Sequence, residues 1–202
     1  MHSELGDGDL LRSMLNGSEE AFTILYRRHQ SGIYRFVRQM TGETGLAEEV
    51  LQEVFLTLMR QGRSFDPRRG SLSAWLYGIA RNCIHRCLER ERPYVALETG
   101  DGEANAALGL PGSAGDRGSP HLESRETVDQ VRRAVLALPA NYREVVVLCE
   151  LQELAYAEAA QILSCPVGTV RSRLHRAREL LAARLQGLRQ PAADCVAGQC
   201  HR

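Results

Sequence analysis

The stretch that decides the fold covers residues 165–180 and reads CPVGTVRSRLHRAREL. Four arginines lie within the eight residues from Arg171 to Arg178. On a helix with about 100° per residue, four apolar side chains between residues 170 and 181 fall within a sector of roughly 60°. The sequence therefore predicts an amphipathic helix with a buried stripe and an opposite polar face. The predicted stripe consists of Val170, Leu174, Ala177 and Leu181.

The segment before this helix indicates how the polar face is used. A short helical run, AYAEAAQIL, is followed by a tight Ser-Cys-Pro break, which is typical of a helix-turn-helix motif. The second helix of such a motif lies in the major groove, where arginine recognises guanine and flanking arginines reach phosphates. We therefore predict DNA binding. The predicted base-reading face consists of Arg171, Ser172, His175 and Arg176, and the predicted phosphate contacts are Arg173 and Arg178.

The composition of the whole chain carries no basic bias, so the argument for DNA is local. Among 202 residues, 25 basic residues, all of them arginine, balance 25 acidic residues. A solvated basic helix face is the alternative interpretation, but six arginines against one glutamate between Arg171 and Arg189 favour DNA. No apolar run reaches the length of a membrane span, and the N-terminus lacks the pattern of a signal peptide. We therefore expect a cytoplasmic protein.

Apolar periodicity divides the chain into two helical modules. The first module is predicted over residues 1–95, where Ser18 followed by two glutamates marks a helix start. Residues 96–124 are rich in Gly, Ala, Ser and Pro and are predicted to form a flexible linker. The second module is predicted over residues 125–188, followed by a short tail, 189–202. The predicted fold class is therefore all-α, with two small helical modules joined by a flexible linker.

Both modules resemble those of one family. The segment LPANYREVVVLCELQELAYAEAAQILSCPVGTVRSRLHRARELL resembles region 4 of the extracytoplasmic-function (group IV) sigma factors. In the first module, AEEVLQEVFLTLMR resembles region 2.2 of that family, and SLSAWLYGIARNCIHRCLERERP resembles regions 2.3 and 2.4. The resemblance covers residues 10–95 and 125–187, in the family's order. It implies two sigma regions, of which region 4 carries the helix-turn-helix.

The resemblance implies a bacterial transcription initiation factor and not an enzyme. Its expected partners are core RNA polymerase, promoter DNA and an anti-sigma factor. The first module is expected to read the −10 element, and the second module the −35 element. The family's −35 contacts match the face of Arg171, Ser172, His175 and Arg176. A stand-alone helix-turn-helix regulator and a metal-sensing interaction protein are the alternative functions, but a simple regulator needs no polymerase-binding helix.

The resemblance assigns two sites to the first module. Four glutamates and no basic residue lie between Gln39 and Met59, a segment that in this family binds the clamp helices of the polymerase. The residues that match its core are Glu49, Gln52, Glu53 and Phe55. Residues 66–73 match the loop that captures a flipped base of the −10 element. The polar residues expected to contact −10 DNA on the helix that follows are Arg81, Asn82, His85 and Arg86.

The cysteines suggest a further candidate site. In the tail, Cys195, Cys200 and His201 are soft ligands that, with a fourth group, would hold zinc or copper. A thiol redox switch and an inert tail are the alternatives. Cys83 and Cys87 lie at i and i+4 on one helix face, so a shared metal is one interpretation, but we favour packing, with Cys87 facing the core. We expect no cofactor to be required for the main function.

Overall fold

The structure, a computed structural model, describes residues 5–91 and 121–189. Within these two ranges every regular element is helical and no strand is present, which confirms the all-α fold class. No helix of this part of the chain is both long enough and apolar enough to cross a membrane. Most of the predicted linker and the tail residues Cys195, Cys200 and His201 lie outside the described residues.

Within residues 5–91 the first module contains four α-helices. Ser18 caps the second of them, since its Oγ accepts a hydrogen bond from the Ala21 backbone N–H at 3.2 Å. This confirms the predicted helix start. Two 3-10 turns, Gly62–Ser64 and Pro67–Arg69, shape the loop before the last helix. The helices are α1 (Asp7–Leu15), α2 (Glu19–Thr41), α3 (Thr44–Gln61) and α4 (Leu72–Glu91).

The second module also contains four α-helices. The first begins at His121, four residues before the predicted start of the module at residue 125. The second helix continues into a π-helical segment, Val147–Leu151. Ala155 precedes the third helix and makes no side-chain capping bond, because alanine has no acceptor to offer. The helices are α5 (His121–Leu136), α6 (Ala140–Val146), α7 (Tyr156–Ile162) and α8 (Val167–Arg189).

The turn between α7 and α8 is a Schellman motif. Ser164 has a positive φ of 51°, and its N–H donates to the Gln161 carbonyl at 3.2 Å. The next N–H, that of Cys165, donates to the Ala160 carbonyl at 3.0 Å. These bonds satisfy the last carbonyls of α7 and turn the chain sharply into α8. The tight break expected from Ser-Cys-Pro therefore has a defined backbone cause.

The two modules share one core. The buried residues of both belong to a single hydrophobic cluster, and α4 packs against α7 while α2 packs against α5 and the π-helical segment. Burial of apolar surface is the main favourable term in such packing, at about 25 cal/mol per Å². Cys83 is 4% exposed and Cys87 is half-buried, so the expectation that Cys87 faces the core was wrong. The helix is rotated so that Cys83 packs inward.

Candidate nucleic-acid interface

The face of α8 that we predicted to read bases is exposed. Arg171, Ser172, His175 and Arg176 are all exposed to solvent. On the opposite side, Val170, Leu174 and Ala177 are at most 2% exposed, while Leu181 is half-buried at the end of the stripe. Periodicity alone therefore located both faces of the helix. The DNA contact itself stays a prediction.

One glutamate partly neutralises this face. Glu179 Oε2 accepts a hydrogen bond from Arg176 Nη1 at 2.7 Å, and Glu179 Oε1 lies 3.4 Å from His175 Nε2. The bond from Arg176 lowers the pKa of Glu179 below its ordinary value, and the same bond raises the pKa of Arg176. Exposed pairs of this kind contribute little to stability, so a phosphate is able to replace the carboxylate at small cost.

The two predicted phosphate arginines differ in their surroundings. Arg173 is half-buried beside the apolar stripe. Arg178 is exposed, and its Nη2 donates to Glu150 Oε1 in the π-helical segment. That bond raises the pKa of Arg178. The predicted phosphate contacts of both arginines stay predictions, and Arg178 is already paired with a carboxylate of its own module.

The predicted −10 residues of α4 are divided between two environments. Arg81 and His85 face the second module, where both contact Glu144 of α6. Asn82 and Arg86 are exposed to solvent, and Arg86 Nη2 donates to the buried Cys83 Sγ at 3.2 Å. In this structure the four residues therefore do not form one accessible DNA surface.

Glu144 is a site residue that the sequence analysis missed. Its side chain is 4% exposed, and its Oε1 lies 2.7 Å from Arg81 Nε and 2.9 Å from His85 Nε2. Burial raises the pKa of the Glu144 carboxyl, but the hydrogen bonds from His85 and Arg81 outweigh burial and hold that pKa below its ordinary value. In the sequence, Glu144 precedes three valines in the segment REVVV, and a glutamate buried among apolar residues needs a partner. The sequence does not indicate which residue that partner is.

A cleft of about 450 Å³ lies beside these contacts. The first module supplies Phe65, Trp75 and Asn82 to its walls, together with the loop predicted to capture a flipped base. The second module supplies Gln161 and Ser164, which close the cleft from the other side. Trp75 is half-buried and its ring lies 5.8 Å from that of Phe65, so it combines packing with lining of the cleft.

Gly70 shapes the predicted base-capturing loop. Its φ of 152° and ψ of −178° lie in a region that is open only to glycine. Gln161 of α7 lies directly above it, where a Cβ atom would collide with the side-chain oxygen. The loop therefore takes a backbone path that no other residue type permits, and α7 covers it.

A second groove lies between α2 and α3, at the predicted polymerase-binding residues. Glu49 and Gln52 are exposed and Glu53 is half-buried. Phe55 is only 4% exposed, with its ring 4.7 Å from that of Tyr26, so it forms the floor of the groove. Met59 is 56% exposed at the end of the groove. The lining residues are Phe22, Tyr26, Glu48, Leu51, Gln52, Phe55, Leu56 and Met59.

The two modules match two parts of one known family. The Sigma-70 region 2 family matches residues 25–93, and the Sigma-70 region 4 family matches residues 129–181. The ECF RNA polymerase sigma factor SigW of Bacillus subtilis is 31% identical over 180 residues, which cover 88% of this chain and 96% of the relative. The ECF RNA polymerase sigma-E factor of Escherichia coli is 33% identical over 198 residues, which cover 93% of this chain and 98% of the relative. This chain belongs to the ECF sigma factors.

Solved structures share the fold of this sigma factor. CnrH, in a complex with the cytosolic domain of CnrY, is similar with a TM-score of 0.66 and 25% identity, covering 90% of this chain and 97% of that one. The sigma factor RpoE of Bartonella quintana, co-crystallised with the anti-sigma factor NepR, has a TM-score of 0.57 and 23% identity over 78% of this chain and 91% of its own. The sigma factor is thus a transcription initiation factor that directs RNA polymerase to promoters, as the resemblance implied.

Acidification should weaken the contact made by Glu144. Because its pKa is lowered in the folded chain, its contribution to stability is fully present above the ordinary value of 4.5 and is lost as the pH falls through the lower folded value. We expect Glu144→Gln to cost about 1–3 kcal/mol near neutral pH, and this difference to shrink below about pH 4. Thermal unfolding of both proteins across this range, followed by circular dichroism, measures the effect.

The exposed Glu150 offers a matched control for this experiment. Glu150→Gln removes a surface carboxylate that also binds an arginine, and such pairs contribute little. A constant difference between wild type and Glu144→Gln at every pH would contradict the assignment.

Proposed function

We propose that this sigma factor reads the −35 element through the outward face of α8 and the −10 element through α4 and the loop before it. The observation that carries this proposal is the division of α8. Its polar residues are exposed on one side, and its apolar residues are buried on the other, directly after a helix and a tight turn. That arrangement presents the N-terminal half of α8 to a major groove.

The chemistry of the α8 face suits a base-reading role. The guanidinium of Arg171 has no ion-pair partner among the described residues, and it is able to form two hydrogen bonds with guanine. On binding DNA, Arg176 and His175 release Glu179 and bind acceptor atoms of the bases or phosphates in its place. Ser172 Oγ donates to the Thr169 carbonyl at 3.1 Å, and its lone pairs stay available for a base edge.

The cleft beside α4 suits a base that has left the stack. Unpaired bases need an aromatic or apolar surface and polar groups for the Watson–Crick edge. Phe65 and Trp75 supply the first, and Asn82 together with the neighbouring backbone supplies the second. Arg81, His85 and Arg86 then meet the phosphates of the same strand. This role requires that Arg81 and His85 are released from Glu144.

The groove between α2 and α3 suits a helix of core RNA polymerase. Its floor is apolar and aromatic, Glu48 and Gln52 lie on its rim, and the exposed Glu49 lies beside the rim, one turn before Gln52 on α3. An amphipathic helix with a basic edge would bury its apolar side chains in the groove and bind the rim carboxylates. In this proposal Phe55 supports the floor, and Glu53 borders it.

The remaining assignments follow from this role. The chain supplies recognition, and the polymerase supplies the chemistry of RNA synthesis, so we infer that the sigma factor is not an enzyme. A promoter-binding factor must reach the chromosome, which places it in the cytoplasm. We infer that an anti-sigma factor regulates it, in line with the similarity to RpoE of Bartonella quintana, which was solved with the anti-sigma factor NepR.

Arg171→Ala should weaken recognition of the −35 element. Loss of one bidentate arginine–guanine contact costs about 1–3 kcal/mol, or roughly 5- to 150-fold in affinity. The measurement is binding of the reconstituted holoenzyme to a promoter found by mapping transcript starts after overexpression. Arg184→Ala is the control, because Arg184 is an exposed arginine two turns beyond the predicted reading face. Equal losses for intact and scrambled −35 elements would contradict base reading.

Glu49→Arg should weaken binding to core RNA polymerase. The change places a positive charge beside the rim, where a basic partner is expected, and we expect a loss on the order of tenfold or more. Affinity for core polymerase is measured without DNA by fluorescence titration. Glu89→Arg is the matched control, since Glu89 is an exposed acid of the same module that lies outside the groove. Equal affinities of the two variants would contradict the polymerase-binding role of the groove.

We propose further that the tail makes transcription respond to metal or to oxidation through Cys195, Cys200 and His201. Within the described residues no cluster of three His, Cys, Asp or Glu side chains is placed to bind a metal. Zinc, copper or a thiol oxidant should change promoter activity of the wild-type holoenzyme, and Cys200→Ser should abolish that change. Cys149→Ser, at a half-buried cysteine, is the control. A wild-type holoenzyme insensitive to all three reagents would contradict the proposal.

A further inference from the structure

Glu179 is the single acidic residue in the basic part of α8. Six arginines and no other acid lie between Arg171 and Arg189. Residues four apart lie one above the other on a helix, so Glu179 continues the row of Arg171 and His175 on the outward face. Its side chain is 49% exposed, which agrees with that position. The outward face is therefore longer than the four residues assigned to base reading, and its next member is a carboxylate.

This carboxylate binds two of the four residues of that face. Its Oε2 accepts a hydrogen bond from Arg176 Nη1 at 2.7 Å, and its Oε1 lies 3.4 Å from His175 Nε2. The bond from Arg176 lowers the pKa of Glu179, so the carboxylate is charged at neutral pH. Both oxygens of Glu179 are therefore occupied by donors that the −35 element is expected to take away.

Release of Arg176 and His175 leaves a charged carboxylate facing the major groove. Base edges in that groove present acceptors on guanine, adenine and thymine, and donors only at the amino groups of cytosine and adenine. A carboxylate has acceptors alone, and cytosine N4 is its usual partner. The base contacts of a homeodomain helix spread over about eight residues, and contacts from Arg171 to Glu179 would spread over a similar length. Glu179 is therefore within reach of a base edge beyond the one that faces His175.

DNA that offers no amino group at this place leaves the carboxylate without a donor. The nearest groups are then phosphates and base acceptors, which repel it. One charge beside the backbone changes affinity by about fivefold to tenfold near 0.1 M salt, and one good base contact by about 5- to 150-fold. The base contact is the larger effect, so Glu179 contributes more to the choice of sequence than to the affinity for DNA in general.

We propose that Glu179 is a further base-reading residue of the −35 face, which exchanges Arg176 and His175 for the amino group of a cytosine when the element is bound. All three side chains then have new partners, because the two cations bind acceptors of the DNA and the carboxylate binds a donor. A guanine or thymine at that position leaves the carboxylate unpaired beside acceptors. This inference rests on the proposed −35 role of α8.

Glu179→Ala tests this role, because alanine removes the carboxylate and keeps a high helix propensity at an exposed site. Binding of the reconstituted holoenzyme is measured on a mapped promoter in which each base pair of the −35 element is changed in turn. The wild type should lose about 5- to 150-fold in affinity where the cytosine is replaced. Glu179→Ala should tolerate changes at that one position and keep the wild-type losses at the others.

Two further measurements sharpen the test. Glutamine accepts a hydrogen bond from N6 of adenine and donates one to N7, so Glu179→Gln should shift the preferred base at that position from cytosine to adenine. On a promoter with a scrambled −35 element, Glu179→Ala should raise affinity about fivefold to tenfold near 0.1 M salt, because a repelling charge is gone. The helical circular dichroism of both variants should equal that of the wild type, since exposed pairs contribute little to stability.

Two other glutamates of the second module serve as matched controls. Glu126 is an exposed acid of α5, and Glu126→Ala should leave affinity and base preference at the wild-type level. Glu150 pairs with Arg178 at the border of the outward face, so Glu150→Ala frees a predicted phosphate contact. It should raise affinity for intact and scrambled −35 elements equally, because phosphate contacts carry no sequence information.

The holoenzyme separates failure of this inference from failure of the proposed function. A wild type that binds intact and scrambled −35 elements equally overturns the −35 role of α8, and the reading role of Glu179 with it. A wild type that discriminates, together with a Glu179→Ala variant that keeps the same loss at every position, overturns the reading role alone. Equal relaxation at all positions also overturns it, since a general change of charge then explains the effect.

Discussion

The buried carboxylate of Glu144 is the constraint on which the arrangement of the two modules depends. A charged group removed from water needs a partner of opposite charge and hydrogen bonds, because its desolvation is otherwise too costly. Glu144 obtains both from Arg81 and His85, which lie 63 and 59 residues away in the sequence. Once α4 is held against α6, the neighbouring α7 lies over the loop at Gly70 and closes the cleft. The position of one charge therefore holds Arg81 and His85 of α4 against the second module.

The two helices with predicted DNA contacts are in different states. The face of α8 is exposed, and its ion pairs with Glu179 are exposed and weak. On α4, Asn82 and Arg86 are exposed, whereas Arg81 and His85 bind the buried carboxylate of Glu144. The hydrogen bonds from His85 and Arg81 hold the pKa of that carboxyl below its ordinary value despite burial. The two predicted surfaces therefore differ in how deeply their ion pairs are buried.

Several side chains have roles that sequence pattern describes only in part. Phe55 matches a family position for polymerase binding, yet it lies under the groove, where Tyr26 and Phe22 surround its ring. Cys83 is buried, whereas Cys87, one turn further along the same face of α4, is only half-buried. Trp75 both packs on Phe65 and lines the cleft. Residues at the border of an apolar stripe are those for which periodicity cannot distinguish core from surface.

The sequence by itself determined the local features of this sigma factor. Helix positions, the Ser18 cap and the two faces of α8 depend on neighbouring residues, and a 3.6-residue period is read directly from such neighbours. Regions 2 and 4 were recognised by the resemblance of contiguous motifs to those of the family. Only the tertiary structure decided that Glu144 binds Arg81 and His85, that Gln161 covers Gly70, and that the modules share a core. These contacts join residues far apart in the chain, and no local pattern specifies the partner of a buried charge.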